Sequence, residues 1–417
     1  MEKKFTNMRG MVKGFANTLN LLRPEVPNHH QQVAYMSYLI AEEMGYSEAD
    51  RMTLILTSIL YDAGLSLLPD FDKEGKRISY KPEELYEAGF SLIGENPRFT
   101  FTSSVMKAGV LSAEEAEEND DVKKAYILSK VIYLSSVVSE KLDYSKSALN
   151  QAADICEDIA DMAGDEFPDE VVEAFLRVTQ KDHIWLDLMH RPDSVLDLLE
   201  DSNNVTLDEA IEYGKVVSRI IDYRSSYTVM HTAGVVVCAV RLAELMGMSE
   251  EECKLIMIAA YLHDIGKLTI PKAILDKNDK LSDEEYNIVK EHAYYTYLFL
   301  KDIPGFDNIS KWASLHHEKL NGNGYPFGLK ADDIPMGARI MAVADIFSAV
   351  AEIRPYRAGM SKEQVAEVLL EGAQSGALSR YIVELLITNY DDIYEKRDKE
   401  VRNEGARYYA AVVNSPD

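Results

Sequence analysis

Ala243-Glu244-Leu245-Met246-Gly247-Met248-Ser249-Glu250 decides the fold. The residues before it (235–246) and after it (250–262) carry apolar side chains at three- and four-residue spacing, the period of an amphipathic helix. Gly247 suits a helix end, because glycine enters the left-handed conformation without a Cβ penalty. Ser249, followed by three glutamates, suits a helix start. The chain therefore turns from one helix directly into the next. The stretch has a counterpart 202 residues earlier, Ala41-Glu42-Glu43-Met44-Gly45-Tyr46-Ser47-Glu48. Without a gap, 29–64 lies over 231–266, and Tyr61-Asp62-Ala63-Gly64 matches His263-Asp264-Ile265-Gly266.

Working outward, 361–370 shows the same helical period, and Ser282 and Ser361 are further N-cap candidates. No stretch alternates polar and apolar residues between hairpin turns. The expected class is all-α, with two copies of one helical unit in tandem. Residues 1–190 would form the first copy and 205–417 the second, with a helix over 207–223 leading into it. Residues 191–204, rich in Asp, Ser and Asn, would link them.

The 417 residues carry 44 basic and 70 acidic side chains, a net charge of −26. So acidic a chain repels polyanions, which argues against binding long nucleic acid, where neutralisation of phosphates dominates affinity. A small anionic substrate still fits where positive charge is concentrated in one pocket. Cys156, Cys238 and Cys253 are too few and too odd in number for a disulfide scaffold. No apolar run reaches the length of a membrane span, and 1–13 has no apolar signal region. A cytoplasmic protein is expected. The acidic runs 114–121 and 395–400 read as solvated faces.

The chemistry concentrates in the second copy. His316-His317-Glu318 is followed by Asn321-Gly322-Asn323-Gly324-Tyr325-Pro326, and upstream stands His263-Asp264-Ile265-Gly266-Lys267. With His231, His292 and Asp345 this makes five histidines and two aspartates, too many for one tetrahedral zinc. They fit two ions a few ångströms apart, bridged by carboxylate. His263 and Asp264, as neighbours on a helix, would diverge by about 100°. Asp345 lies in the apolar run 340–350, where a buried carboxylate is costly unless paired or coordinated. The first copy keeps His29 and Asp62 but has Tyr61 for His263 and Leu65 for Lys267. A lone His and a lone Asp do not hold a divalent ion tightly, so this copy reads as structural or regulatory.

These motifs, with Tyr227-Thr228 before His231 and Arg354-Pro355-Tyr356-Arg357 after Asp345, resemble the HD-GYP domain, a subgroup of the HD metal-dependent phosphohydrolases. The resemblance covers about 227–357; the N-terminal half resembles a degenerate HD domain. It implies two HD-like helical domains and a two-metal centre, commonly iron or manganese, with zinc an alternative. His231, His263, Asp264 and Asp345 would hold the first ion. Asp264, His292, His316 and His317 would hold the second. A third ion would need Glu where Tyr227 stands. The implied activity is hydrolysis of cyclic di-GMP to linear pGpG, and onward to GMP, by a bridging hydroxide. Lys267, His263 and Asp264 would be catalytic. Lys267, Tyr325, Arg354 and Arg357 would bind substrate, with Gly322 and Gly324 allowing the turn and Pro326 fixing it. Arg339, at a helix start, reads as structural.

The sequence departs from the family at three places: Gly234 for Arg, Ser348 for Asp, and Glu352-Ile353 for Ser-Asp. These bear on purine identity, so a mixed cyclic GMP-AMP substrate is the alternative, as is a nucleotide-binding adaptor with little turnover. A homodimer or protein partner would bind through the N-terminal domain.

Overall fold

The computed structural model describes residues 5–23, 25–69, 78, 80–94, 96–199, 204–224, 230–277, 279–352 and 359–413. Their regular elements are helices apart from one antiparallel ribbon, in which Thr6 pairs with Val205 and Asn7 with Asn204. Among them no helix is long and apolar enough to cross a membrane. The chain divides into two units, one of Met8–Asn203 and the other of Met1–Asn7 with Asn204–Val413. The opening strand thus belongs with the C-terminal unit. The segment expected as a linker is partly structured: Pro192–Leu198 forms a 3-10 helix with Pro192, Val195 and Leu196 buried.

In the N-terminal unit, α1 (Met8–Leu19) precedes α2 (His29–Glu43), α3 (Glu48–Leu60), α4 (Pro82–Ile93), α5 (Thr100–Gly109) and α6 (Asp120–Lys141). Helix α2 is central and packs on α3 and α6. It buries polar residues as well as apolar ones, and each finds a partner: Gln32 donates to Leu188 O at 3.1 Å, and Ser37 to Ser135 at 3.1 Å. Buried polar groups survive only when so satisfied.

The C-terminal unit repeats the plan. It runs α7 (Leu207–Asp222), α8 (His231–Leu245), α9 (Glu250–Leu262), α10 (Asp283–Leu300), α11 (Asp307–Ser314), α12 (Met336–Ala351), α13 (Lys362–Gln374), α14 (Arg380–Thr388) and α15 (Tyr390–Val413). Here α8 is central, against α9, α12 and α15. The expected caps are in place. Ser249, Ser282 and Ser361 each accept from the backbone N–H three residues on, with a reciprocal bond from Glu252, Glu285 or Gln364. Gly45 and Gly247 end their helices at φ +81° and +74°.

One close approach fixes each unit. A Cβ on Gly266 would lie 2.0 Å from the His292 carbonyl oxygen, so only glycine lets the turn after α9 sit on α10. Gly64 meets α4 in the same way, 2.4 Å from Gly89 N and 2.6 Å from the Ala88 Cβ. Ala88 therefore stands where the second unit has His292.

Candidate metal centre

Helix ends deliver the site. His231 opens α8, His263 caps the C-terminus of α9, His292 lies within α10, His316 and His317 follow α11, and Asp345 lies within α12. Asp264 is not on the helix as its spacing suggested. At φ −101° and ψ 10° it has already left α9 for a 3-10 turn, which places its carboxylate beside His263, Nε2 to Oδ2 3.2 Å.

Three imidazoles are oriented by one device. His263, His292 and His316 each place Nδ1 against the carbonyl three residues earlier, at 2.8, 2.6 and 2.6 Å. Nδ1 must donate there, so Nε2 carries the lone pair and faces inward. The Nε2 of His263 and the Nδ1 of His231 are buried without a hydrogen-bond partner among the described residues. Donor atoms of His231, His263 and Asp264 lie within 4.8 Å of one another, as do those of His292, His316 and His317. Both carboxylates span the groups. Asp264 presents Oδ2 to His263 and Oδ1 to His292 at 3.5 Å. Asp345 presents Oδ1 to His231 at 2.9 Å and Oδ2 to His317 at 3.9 Å.

Such a set fits divalent cations: inward lone pairs, buried carboxylates and orphaned imidazole nitrogens are costly together without positive charge. The electrostatics agree. Burial and neighbouring imidazoles hold His316 well below the ordinary histidine range, and burial takes His292 down to about 3. Burial also opposes charge on Asp264 and Asp345, but the facing imidazoles and Lys267 outweigh it and hold both carboxylates ionised. In the absence of a cation, Asp264 outweighs the burial that opposes the imidazolium of His263 and lifts it to about 9, so a proton then occupies the inward Nε2 that an ion would take.

The expected substrate groups divide. Lys267 reaches Asp264 Oδ2 at 2.5 Å. The Tyr325 ring lies 4.8 Å from that of His317, which at 28% is the most exposed imidazole in the cluster's ion contacts. Arg354, Arg357, Tyr227 and Thr228 lie outside the described residues. Arg339 is structural as read, donating to the carbonyls of Ile334 and Ala331.

Three roles were not legible in the sequence. Glu318 is 3% exposed and accepts the backbone N–H groups of Phe327, Gly328 and Leu329 at 2.7, 3.1 and 3.0 Å. It clasps the loop that carries Tyr325. Asp222, at the end of α7, is buried and accepts from Thr232 at 2.8 Å, one residue after His231. Arg397 of α15, in the run read as a solvated face, is 2% exposed. A Cβ on Gly234 would lie 3.0 Å from its Nε and 3.2 Å from Ser348 Oγ. Two of the family departures thus make room for one guanidinium from a distant helix.

In the N-terminal unit the corresponding centre is filled by protein. His29 places Nδ1 against Ser139 at 2.9 Å, and its Nε2, the nitrogen that in His231 meets Asp345, bonds the Tyr61 hydroxyl at 2.7 Å. Asp62 accepts from His30 at 2.7 Å and from Arg23 at 2.9 Å. Arg23 supplies the charge that offsets the carboxylate, and His30 a hydrogen bond to it; neither residue was singled out by the sequence pattern.

Residues 215–379 match the profile of the HD domain family. The chain is 25% identical over 406 residues to the 3'3'-cGAMP-specific phosphodiesterase 1 of Vibrio cholerae, covering 93% of each. It is 39% identical over 170 residues to a cyclic di-GMP phosphodiesterase response regulator of Xanthomonas campestris, covering 39% of this chain and 43% of that one. It is 34% identical over 206 residues to a cyclic di-GMP phosphodiesterase of Thermotoga maritima, covering 48% and 56%. The crystal structure of a cyclic GMP-AMP specific phosphodiesterase of V. cholerae shares the fold, with TM-score 0.61 and 20% identity over 93% of this chain and 98% of that one.

Proposed function

We propose that the C-terminal unit is a metal-dependent phosphodiesterase that opens a guanine-containing cyclic dinucleotide. The observation that carries this is the pair of donor groups joined by two spanning carboxylates. His231, His263, Asp264 and Asp345 would hold one ion, and Asp264, His292, His316 and His317 the other. Two divalent ions there supply a water of lowered pKa and neutralise phosphate charge. Iron or manganese suits the mixed imidazole and carboxylate donors.

The chain's own groups do the rest. Hydrolysis adds water across one P–O ester bond; oxygen bonds to phosphorus, and the departing ribose oxygen takes up a proton. Lys267 keeps its charge because Asp264 outweighs the burial that opposes it, and it sets a fixed cation beside the reacting phosphate. Tyr325, against His317, offers a ring and a hydroxyl to the substrate. Arg354 and Arg357 would hold the second phosphate or a guanine.

A 3'3'-cyclic GMP-AMP preference over cyclic di-GMP is the second reading. It is favoured by a relative that matches both halves of the chain and is named for that substrate. The test is turnover of each cyclic dinucleotide by protein loaded with iron, manganese or zinc, with products separated by chromatography. Linear product supports the reading. Binding without turnover under every metal would overturn it in favour of an adaptor.

A further inference from the structure

Helix α15 lies beyond the residues that match the family profile, yet it is tied to the helices that lead into the metal centre. Arg241 of α8 pairs with Asp392 at 2.6 Å, and Arg219 of α7 pairs with Glu404 at 2.8 Å. Between these two ion pairs in sequence, Arg397 is buried. Unlike Arg241 and Arg219, it meets no carboxylate among the described residues. It donates from Nη2 to the Ser348 carbonyl at 3.4 Å, and its Nε has no hydrogen-bond partner among them. A guanidinium buried in this way is costly, so packing alone does not account for it. What Arg397 meets are two helix ends. Ser348 lies in the last turn of α12, one turn after Asp345, and Gly234 lies in the first turn of α8, one turn after His231. A Cβ on Gly234 would stand 3.0 Å from the Arg397 Nε and 3.2 Å from the Ser348 Oγ. The guanidinium therefore fills the gap between the two helices, one turn behind the 2.9 Å contact of His231 with Asp345. The last carbonyls of a helix carry partial negative charge, which suits a cation at the end of α12.

We propose that Arg397 is a positioning residue: from α15 it locks the end of α12 to the start of α8 and so sets the spacing between Asp345 and His231. It touches no substrate and no reacting atom. It acts on the ion that those two ligands share, and leaves the ion of His292, His316 and His317 to the other helices. The inference rests on the two-ion reading of the site. Donors that packing already holds in place bind an ion without first being ordered. Loosening their support therefore weakens the ion although no ligand is lost.

The test titrates the full chain with manganese(II) and reads the two binding steps by electron paramagnetic resonance, with stoichiometry from metal analysis. His231→Ala and His292→Ala mark which step belongs to which ion. Arg397→Met keeps the volume and removes the charge and the hydrogen bond. It should weaken the ion at His231 about tenfold or more while the ion at His292 keeps its affinity. The melting temperature of the metal-free chain should not fall, because a costly buried charge is gone. Arg397→Lys, which keeps a cation at the end of α12, should recover part of the loss. Gly234→Ala raises helix propensity but pushes on Arg397, so it should give the same selective loss, and it should add little in the Arg397→Met background. Both ions weakening together, or a lower melting temperature with both affinities unchanged, would overturn the proposal and leave Arg397 a packing residue. So would a Gly234→Ala loss that persists in full beside Arg397→Met. If Arg397→Met fails to fold, Arg397→Lys and Gly234→Ala decide. Fewer than two ions on the unaltered chain would sink the two-ion reading itself, and this inference with it.

Discussion

Glu318 offers a sharp test of how the site is built, because its neighbours in sequence are metal-ligand candidates while its contacts are not. Its carboxylate accepts three backbone N–H groups from 327–329. Hydrogen bonds to a charged group contribute roughly 1.5–3 kcal/mol each. Phe327 is 43% exposed, so the released backbone can turn to water, and the low end of that range applies. Glu318→Ala should therefore cost about 4 kcal/mol, and Glu318→Gln, which keeps one acceptor oxygen, about 2 kcal/mol. For a unit of this size, 4 kcal/mol lowers the melting temperature by about 10 °C. The loop carries Tyr325, so kcat/KM should fall about tenfold or more while metal content holds, a loss of at least ~1.4 kcal/mol in transition-state binding. Scanning calorimetry, metal analysis and turnover measure the three quantities. Loss of an ion with an unchanged melting temperature would refute the clasp and make Glu318 a ligand.

Joint replacement of His263 and Asp264 by Ala should remove at least one ion and, at ~4 kcal/mol of lost stabilisation, slow turnover about a thousandfold; full metal content and normal rates would exclude these residues from the centre. Gly266→Ala drives a Cβ to 2.0 Å from the His292 carbonyl, so about 3 kcal/mol or more of stability should be lost. Gly64→Ala, at 2.4 Å from Gly89 N, should destabilise the N-terminal unit with metal content unchanged, and an unaltered melt in either variant would sink the packing argument. Acid should weaken the N-terminal unit in two steps. Burial holds His29 neutral, well below the ordinary histidine range, so its contribution is present above about pH 6.5 and is lost as pH falls. Asp62, buried but outweighed by His30 and Arg23, also lies below its usual range; its share is present above about pH 4 and is lost below. Urea midpoints measured from pH 7.5 to 3.5 check this, and a midpoint flat across the range would contradict it.

Local signals in the sequence carried far. Gly247 and Ser249 mark the ends of their helices because caps depend on residues a few positions apart. The histidine and aspartate positions were visible because their types and spacing suit metal ions. Long-range roles were not visible. Nothing adjacent to Gly234 announces that Arg397, from the last helix, needs the space its missing Cβ leaves. Nothing near Asp62 names Arg23, 39 residues earlier, as its partner. His30 was hidden beside His29, since adjacent helix residues point to different sides. Asp264 was misplaced because the helix ends where its apolar period does, at Leu262, and the chain beyond the His263 cap turns into a 3-10 helix that the period does not mark. The strand Thr6–Asn7 is too short to leave a periodic trace.

The two units pose the same electrostatic problem and answer it differently. Each brings a buried aspartate, Asp62 or Asp264, to the end of its second repeated helix, and a buried carboxylate needs a positive partner. In the N-terminal unit that partner is covalently part of the chain. Arg23 and His30 reach Asp62, and the Tyr61 hydroxyl takes the inward nitrogen of His29. Among the described residues no group of three metal donors forms there. In the C-terminal unit Asp264 does meet Lys267, yet Asp345 and the inward Nε2 atoms of His263, His292 and His316 remain. One lysine does not satisfy the inward Nε2 atoms of His292 and His316, which face each other at 3.4 Å. Tyr61 for His263 and Ala88 for His292 each remove a donor, and Arg23 adds the charge that makes the removal stable. These substitutions therefore act as a set: restoring a single histidine at position 61 would return a donor to a centre whose charge is already met.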